Sequence, residues 1–227
     1  MKAYRDEVTG RWHSDLPDVF DLMCEKLRNG EPFKFARYGD GEFNAIYGKQ
    51  GANCDGHEYF PDLGKRLREA LESNPDYIVG LQPLTLASDR WPQIQSDFPN
   101  IKWVDADCIH NASIDHRLEK LFHVLRRRDV MVVGPSHIVS VAKALGVHWF
   151  MLPYMNCWER FGAVRNWIIN ESVKFDNPVV LLCASMMSEV LIDEFKNCDN
   201  MTMIDMGSVL DPFVGVKSRR YHHKLKI

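Results

Sequence analysis

The stretch FKFARYGDGEFNAIYG, residues 33–48, joins an apolar segment to a cluster of small and acidic residues. Its apolar first part predicts a short β-strand. Two glycines, Gly39 and Gly41, then alternate with two acids, Asp40 and Glu42. Because glycine tolerates positive φ, we expect a tight turn that directs both carboxylates into one pocket. The stretch therefore predicts a strand whose carboxyl end carries a pair of acids.

The rest of the chain alternates apolar runs with amphipathic stretches. Strands are predicted at residues 33–37, 77–81, 101–107, 130–134, 178–185 and 201–207. Helices are predicted at residues 16–27, 63–71, 114–125, 138–145, 157–173 and 189–196. Continuous apolar strands that alternate with helices are typical of a parallel sheet covered on both faces. The pattern predicts an α/β, Rossmann-like fold with a mostly parallel sheet, formed by residues 1–227 as one domain.

The overall composition is that of an ordinary globular protein. The net charge is −3 over 227 residues, which provides no general attraction for nucleic acid or anionic lipid. No apolar run approaches the ~20 residues of a membrane span, and the first residues have no apolar signal region, so we expect a cytoplasmic protein. The six cysteines are scattered without a CxxC pair, which argues against a zinc site.

The acid pair lies where a ligand site is expected, because ligands of such sheets bind beyond the carboxyl ends of the strands. Close carboxylates repel each other unless a cation or a proton lies between them. Mg²⁺ and Mn²⁺ prefer oxygen ligands and bridge carboxylates to phosphate oxygens. Asp40 and Glu42 are therefore candidate ligands of a divalent metal, and a solvated turn is the alternative.

An arginine at the end of the same apolar strand supports an anionic partner. Arg37 is costly to bury without one. Its partner is expected to be Asp40, Glu42 or a bound phosphate.

Two further strand ends are candidate phosphate sites. Ser136 opens a predicted helix after the strand at residues 130–134, and Ser185 is the last residue of the strand at residues 178–185. Free N–H groups at a helix N-terminus favour anions. An ordinary strand-to-helix turn with a serine cap is the alternative at both places.

The C-terminal stretch DMGSVLDPFVGVKSRRYHHKLKI combines glycine, proline and basic residues. Arg219, Arg220 and His222 are candidate ligands of a diphosphate, because arginine forks match its oxygens. The apolar residues before them indicate a packed segment, and a solvated basic tail is the alternative.

The sequence RYGDGE, residues 37–42, resembles the D-x-E signature of glycosyltransferases with the GT-D fold. The stretches GKRLREAL, residues 64–71, and DMGSVLDPFVGVKSRRYHH, residues 205–223, are also similar to what such proteins carry. The resemblance implies a Rossmann-like sheet that binds a nucleotide-sugar donor. It also implies that Asp40 and Glu42 contact the divalent metal (Mn²⁺ or Mg²⁺) and the diphosphate. The adjoining Arg37, Tyr38 and Gly39 belong to the same signature.

A sugar transferase that inverts configuration needs a general base for the acceptor hydroxyl. Asp107 is one candidate. The others are Asp55, His57, Glu58 and His110. A retaining transferase needs no such base, so the sequence leaves the stereochemistry open.

Other functions remain compatible with the residues. A nucleotide-processing hydrolase or phosphotransferase shares the phosphate sites, although no G-x-x-x-x-G-K-[ST] loop is present. A binding module without catalysis is the third reading. For a transferase, the hydroxyl acceptor is a surface glycan, a glycoprotein or a hydroxymethylated pyrimidine in phage DNA. The basic run at residues 125–129 permits DNA, but the acidic net charge gives it no support.

Overall fold

A seven-stranded parallel sheet organises the chain in the computed structural model, which describes residues 1–7, 10–145, 148–219 and 222–223. The strands are β1 (Ala3–Arg5), β2 (Trp12–Ser14), β3 (Lys34–Tyr38), β4 (Ile78–Leu81), β5 (Trp103–Asp105), β6 (Val130–Pro135), β7 (His148–Leu152), β8 (Val179–Leu182) and β9 (Thr202–Asp205). β1 and β2 form a separate antiparallel pair, and the large sheet has the order β5-β4-β3-β9-β8-β6-β7. Its strands all run parallel, so every carboxyl end lies at one edge.

Helices connect the strands. They are α1 (Phe20–Asn29), α2 (Asp40–Ile46), α3 (Pro61–Glu72), α4 (Pro83–Leu86), α5 (Trp91–Asp97), α6 (Cys108–Ile114), α7 (Leu118–Leu125), α8 (Val139–Ala144), α9 (Phe161–Ser172) and α10 (Met187–Glu194). Short 3₁₀ helices occur at Ser136–Ile138, Cys157–Arg160 and Asp211–Val214. Among the described residues, none of these helices has the length and apolar character needed to traverse a bilayer.

Buried side chains form one apolar cluster on each face of the sheet. In β8, Val179 and Leu181 pack into one cluster, while Val180 and Leu182 pack into the other. Alternation across a strand sends successive side chains to opposite faces, and both faces here are covered by helices. The predicted α/β architecture is confirmed.

Two predicted helices differ from the observed ones. The helix expected at residues 16–27 begins at Phe20, whose N–H donates to the Asp18 carboxylate at 2.8 Å. The helix expected at residues 114–125 is two helices, because His116 has a left-handed φ of 57° between α6 and α7. Local backbone breaks of this kind carry no clear signal in the apolar periodicity.

The segment around the two acids is a helix start rather than the expected tight turn. Asp40 is the first residue of α2 and Gly41 lies inside it. Gly39 has an extended φ of −136°, and neither glycine is among the residues with positive φ. A Cβ at Gly39 would instead overlap the Gln82 side-chain amide, so that side chain would have to move.

Close helix packing fixes the position of α2. A Cβ at Gly64 in α3 would overlap the backbone carbonyl of Ala45 in α2. The two helices therefore approach with no side chain between them at this point. This contact holds the first turn of α2, which carries both acids, at the carboxyl edge of β3.

Candidate functional site

A cavity of about 340 Å³ opens at the carboxyl edge of the sheet. Its walls come from the segments that follow β3, β4, β6, β8 and β9, together with residues near 53–59 and the C-terminal segment that ends at Arg219. A pocket of this volume is in the range of small-molecule sites. Its position matches the expectation from the parallel sheet.

The cavity is rich in acids. Six acidic side chains line it: Asp40, Glu42, Asp55, Glu189, Asp205 and Asp211. Two guanidinium groups face them, those of Arg37 and Arg219. A polyanionic ligand therefore meets an excess of carboxyl groups, and its binding calls for additional positive charge or bound protons.

The D-x-E acids have different environments. Asp40 is exposed at the mouth, whereas Glu42 is half-buried below it. Glu42 Oε2 accepts the Gly39 N–H at 2.8 Å, which closes the first turn of α2 and leaves the second oxygen for a ligand. Burial raises the pKa of Glu42 to about 7, and the negative charges of Asp205 and Asp40 add to the shift. A nearby cation would therefore stabilise the ionised form of Glu42.

Asp40 and Glu42 could hold a metal ion only together with ligand atoms from a bound diphosphate or from water. The described residues contain no group of three or more His, Cys, Asp or Glu side chains arranged to hold a metal ion by themselves. Two carboxylates, with further oxygens from a diphosphate and water, fit the coordination habits of Mg²⁺ and Mn²⁺. Asp40 and Glu42, which both line the cavity, are the candidate carboxylates.

Arg37 lies at the floor of the cavity in a polar network. Its Nε donates to the Ala106 carbonyl at 2.7 Å, and one Nη lies 3.1 Å from His110 Nδ1. The guanidinium is 3.5 Å from an Asp107 oxygen and 3.6 Å from an Asp205 oxygen. Sequence reasoning had expected Asp40, Glu42 or phosphate as its partner. Asp107 and Asp205 follow β5 and end β9, so strand pairing across the sheet creates these contacts.

A buried pair of carboxyl groups lies behind the acid pair. Glu189 in α10 is 1% exposed, and its Oε2 has no hydrogen-bond partner among the described residues. Burial raises its pKa well above the ordinary value, and the charges of Asp205 and Glu42 raise it further. Burial therefore disfavours the ionised form of Glu189. Sequence reasoning missed both Glu189 and Asp205, because each lies in an apolar run that predicts core.

The candidate bases occupy unequal positions. His57 and His110 line the cavity, whereas Asp107 and Glu58 are not part of its lining. Although burial alone would raise the pKa of Asp107, hydrogen bonds and charges from His110 and Arg37 lower it overall. Burial lowers the pKa of His110 to about 4, with a further contribution from Arg37. Asp55 lines the cavity, but both of its carboxylate oxygens accept hydrogen bonds from Arg219.

The two serine sites also differ. Ser185 lines the cavity with a left-handed φ of 50°, and its hydroxyl accepts the Asn53 side-chain N–H at 3.1 Å. Ser136 is exposed and does not contribute to the lining, whereas the next residue, His137, does. The strand end after β6 therefore presents an imidazole to the cavity rather than the expected serine.

The C-terminal segment packs against the cavity up to Arg219, as its apolar residues indicate, and is not a solvated tail over these residues. Arg219 binds both oxygens of Asp55 through its two Nη atoms at 2.5 Å. His222 is buried, and its Nδ1 accepts the Arg219 N–H at 3.2 Å, so it supports the turn and does not line the cavity. Arg220, the other candidate diphosphate ligand, lies outside the described residues.

Solved structures share this fold. One described as "The highly conserved domain of unknown function 1792 has a distinct glycosyltransferase fold" has a TM-score of 0.69 at 16% identity, over 87% of this chain and 79% of its own. "A New Glycosyltransferase (DUF1792) from Streptococcus sanguinis" has a TM-score of 0.65 at 17% identity, over 88% and 85%. No protein-family model and no curated protein matches the chain. The likeness confirms the fold that the D-x-E resemblance implied.

Proposed function

We propose that this chain, which has the fold of solved structures described as glycosyltransferases, is a metal-dependent glycosyltransferase. It moves a sugar from a nucleotide-sugar donor to a hydroxyl acceptor. The observation that carries the proposal is the D-x-E pair at the mouth of an acid-rich cavity, at the carboxyl end of β3. The acids of the cavity oppose the binding of a diphosphate unless a cation accompanies it, and Asp40 and Glu42, which both line the cavity, would share that cation with the diphosphate.

The chemistry follows from where charge develops. As the sugar leaves, negative charge builds up on the nucleoside diphosphate. Asp40 and Glu42 would hold a divalent metal, which would supply stabilisation of that charge. Arg37 keeps the floor of the site in place through Asp205 and Ala106, and the burial of Glu189 disfavours a further negative charge behind the diphosphate.

The experiment incubates the purified chain with a panel of nucleotide-sugars and Mn²⁺ and quantifies every product by chromatography. We expect slow release of nucleoside diphosphate from one donor, and faster release when a panel of glycans, glycoproteins and hydroxymethylated DNA is added. EDTA is expected to abolish the release, and excess Mn²⁺ to restore it. Asp40 and Glu42 are the physical reason, since their charges oppose diphosphate binding without a metal.

The products separate the competing functions. Release of inorganic phosphate would instead identify a hydrolase or phosphotransferase. Donor binding without turnover would identify a binding module. Full activity in EDTA would contradict the metal dependence while leaving transfer itself intact.

Arg219 is expected to contribute to donor binding. Its guanidinium lines the cavity, where it faces Asp55 from the C-terminal segment. Arg219→Ala should weaken the binding of a nucleoside diphosphate with Mn²⁺ by about tenfold, which corresponds to the ~1.4 kcal/mol of one charge-assisted contact. Isothermal titration calorimetry measures this change.

The matched control is Arg126→Ala. Arg126 is exposed and does not line this cavity, so its loss should leave the affinity unchanged. If Arg219→Ala folds normally and binds the nucleotide as tightly as the unmodified chain, Arg219 has no contact with the donor.

A further inference from the structure

An imidazole and a carboxylate form a pair at the far side of the cavity. His137 Nε2 lies 2.9 Å from Asp211 Oδ1, and both residues line the cavity. Asp211 is buried, and its Oδ2 accepts the Ser218 hydroxyl at 2.5 Å. Both oxygens of the carboxylate are therefore engaged, which fixes its orientation toward the imidazole.

The hydrogen bond selects the tautomer of His137. An ionised carboxylate only accepts hydrogen bonds, so neutral His137 carries its proton on Nε2 and its lone pair on Nδ1. A histidine held in this way is ready to accept a proton and is stabilised by the carboxylate once it is charged. The His137 side chain is 23% exposed, so a ligand in the cavity has access to it.

The other imidazoles of the cavity are less suited to this task. The Arg37 guanidinium lies 3.1 Å from His110 Nδ1, so that nitrogen accepts a hydrogen bond from the arginine N–H and its lone pair is occupied. His57 is 9% exposed, and burial lowers its pKa. Its Nδ1 lies 3.6 Å from the Cys157 sulfur, not from a carboxylate.

The distance between the D-x-E pair and His137 leaves room for a donor. Asp40 follows β3 and His137 follows β6, and β9 and β8 lie between those strands. Three strand spacings separate the two strand ends by about 14 Å. A diphosphate bound at the D-x-E pair therefore leaves space in the cavity for its sugar on the side of His137.

We propose that His137 is the general base of the transfer, with Asp211 as its positioning residue; this inference rests on the proposed function. His137 Nδ1 takes the proton of the acceptor hydroxyl as the acceptor oxygen forms a bond to the anomeric carbon. The bond from that carbon to the diphosphate breaks, and the electron pair leaves with the nucleoside diphosphate. The product therefore has inverted configuration at the anomeric carbon.

Two nucleophiles with different proton requirements test the role. Water and hydroxyl acceptors lose a proton during attack, whereas azide does not. For His137→Gln we expect donor hydrolysis by water to fall by about 100-fold. Transfer to azide, measured as glycosyl azide, should change less than about threefold, and so should affinity for nucleoside diphosphate with Mn²⁺. His123→Gln is the matched control, since exposed His123 in α7 does not line the cavity.

Asp211→Asn and Ser218→Ala test the positioning. Both should lower kcat for water with little change in the donor KM, and the serine variant should lose less because the carboxylate remains beside His137. A purely structural role would lower azide transfer and hydrolysis together.

Three results would overturn the proposal. One is equal loss of azide and water reactions in His137→Gln, and another is unchanged hydrolysis in that variant. The third is a product with retained configuration. An unmodified chain that releases no nucleoside diphosphate from any donor overturns the proposed function as well, so the two failures are distinguishable.

Discussion

Asp40→Asn and Glu42→Gln should each lower sugar transfer by about 1,000-fold, the effect of removing one group that stabilises transition-state charge. Each change removes one of the two carboxylates proposed to hold the metal against the diphosphate. Initial rates of nucleoside diphosphate release, at the Mn²⁺ concentration that just saturates the unmodified chain, measure the loss. Excess Mn²⁺ should recover part of the activity, because a weakened metal site is filled by mass action.

The same variants should keep the fold. Asparagine at position 40 gives up only a favourable charge at the start of α2, worth about 0.3–1 kcal/mol. Glutamine at position 42 still accepts the Gly39 N–H and removes a poorly solvated charge.

In EDTA the raised pKa of Glu42 means that the folded state holds a proton more tightly than the unfolded one. Stability should therefore fall as pH rises from 4.5 to about 7, and Glu42→Gln should reduce that fall.

Asp62→Asn is the matched control, since Asp62 occupies the first turn of α3 and does not line the cavity. It should transfer sugar at the unmodified rate. An Asp40 or Glu42 variant that keeps full turnover would refute the site assignment, and one that unfolds would give these acids a structural role instead.

Arg37→Met should lower the free energy of unfolding by about 3–5 kcal/mol, the usual result of removing one partner of a buried ion pair. The change leaves Asp205, with a side chain only 6% exposed, without its cation. It also removes the hydrogen bond to the Ala106 carbonyl. Urea denaturation monitored by circular dichroism measures the loss.

Two comparisons isolate the cause. Arg37→Met combined with Asp205→Asn should regain part of the stability, since the unpaired charge is gone. Arg117→Met removes a guanidinium whose side chain is 28% exposed, and it should lose less than about 1 kcal/mol. If Arg37→Met and Arg117→Met lost equal stability, compensation of the buried Asp205 charge would not be the reason for the effect of Arg37.

The loss at Arg37 should also depend on pH. Arg37 and His110 lower the pKa of Asp107 in the folded state. The stability from this interaction is full above the ordinary pKa of 3.8 and disappears as pH falls through the lowered value. The difference in the free energy of unfolding between the unmodified chain and Arg37→Met should therefore become smaller at acidic pH.

The strands and the sheet edge were predictable from the sequence, because their signal is local. Apolar runs such as residues 178–185 are too short for buried helices and too continuous for half-exposed strands. The start of α2 was not predictable in the same way, since Asp-Gly pairs also favour turns. Packing of Gly64 against Ala45 favours the helical alternative there, and that contact joins separate elements.

The sequence by itself determined the parallel α/β sheet and placed Asp40 and Glu42 at its carboxyl edge, because strand period and the residues that follow a strand are read along the chain. Only the tertiary structure decided which groups face those acids. The pairs Arg37–Asp205, His137–Asp211 and Arg219–Asp55 join residues that are 168, 74 and 164 positions apart. Their proximity follows from strand order and from the path of the C-terminal segment, which no local pattern of charge or hydrophobicity encodes.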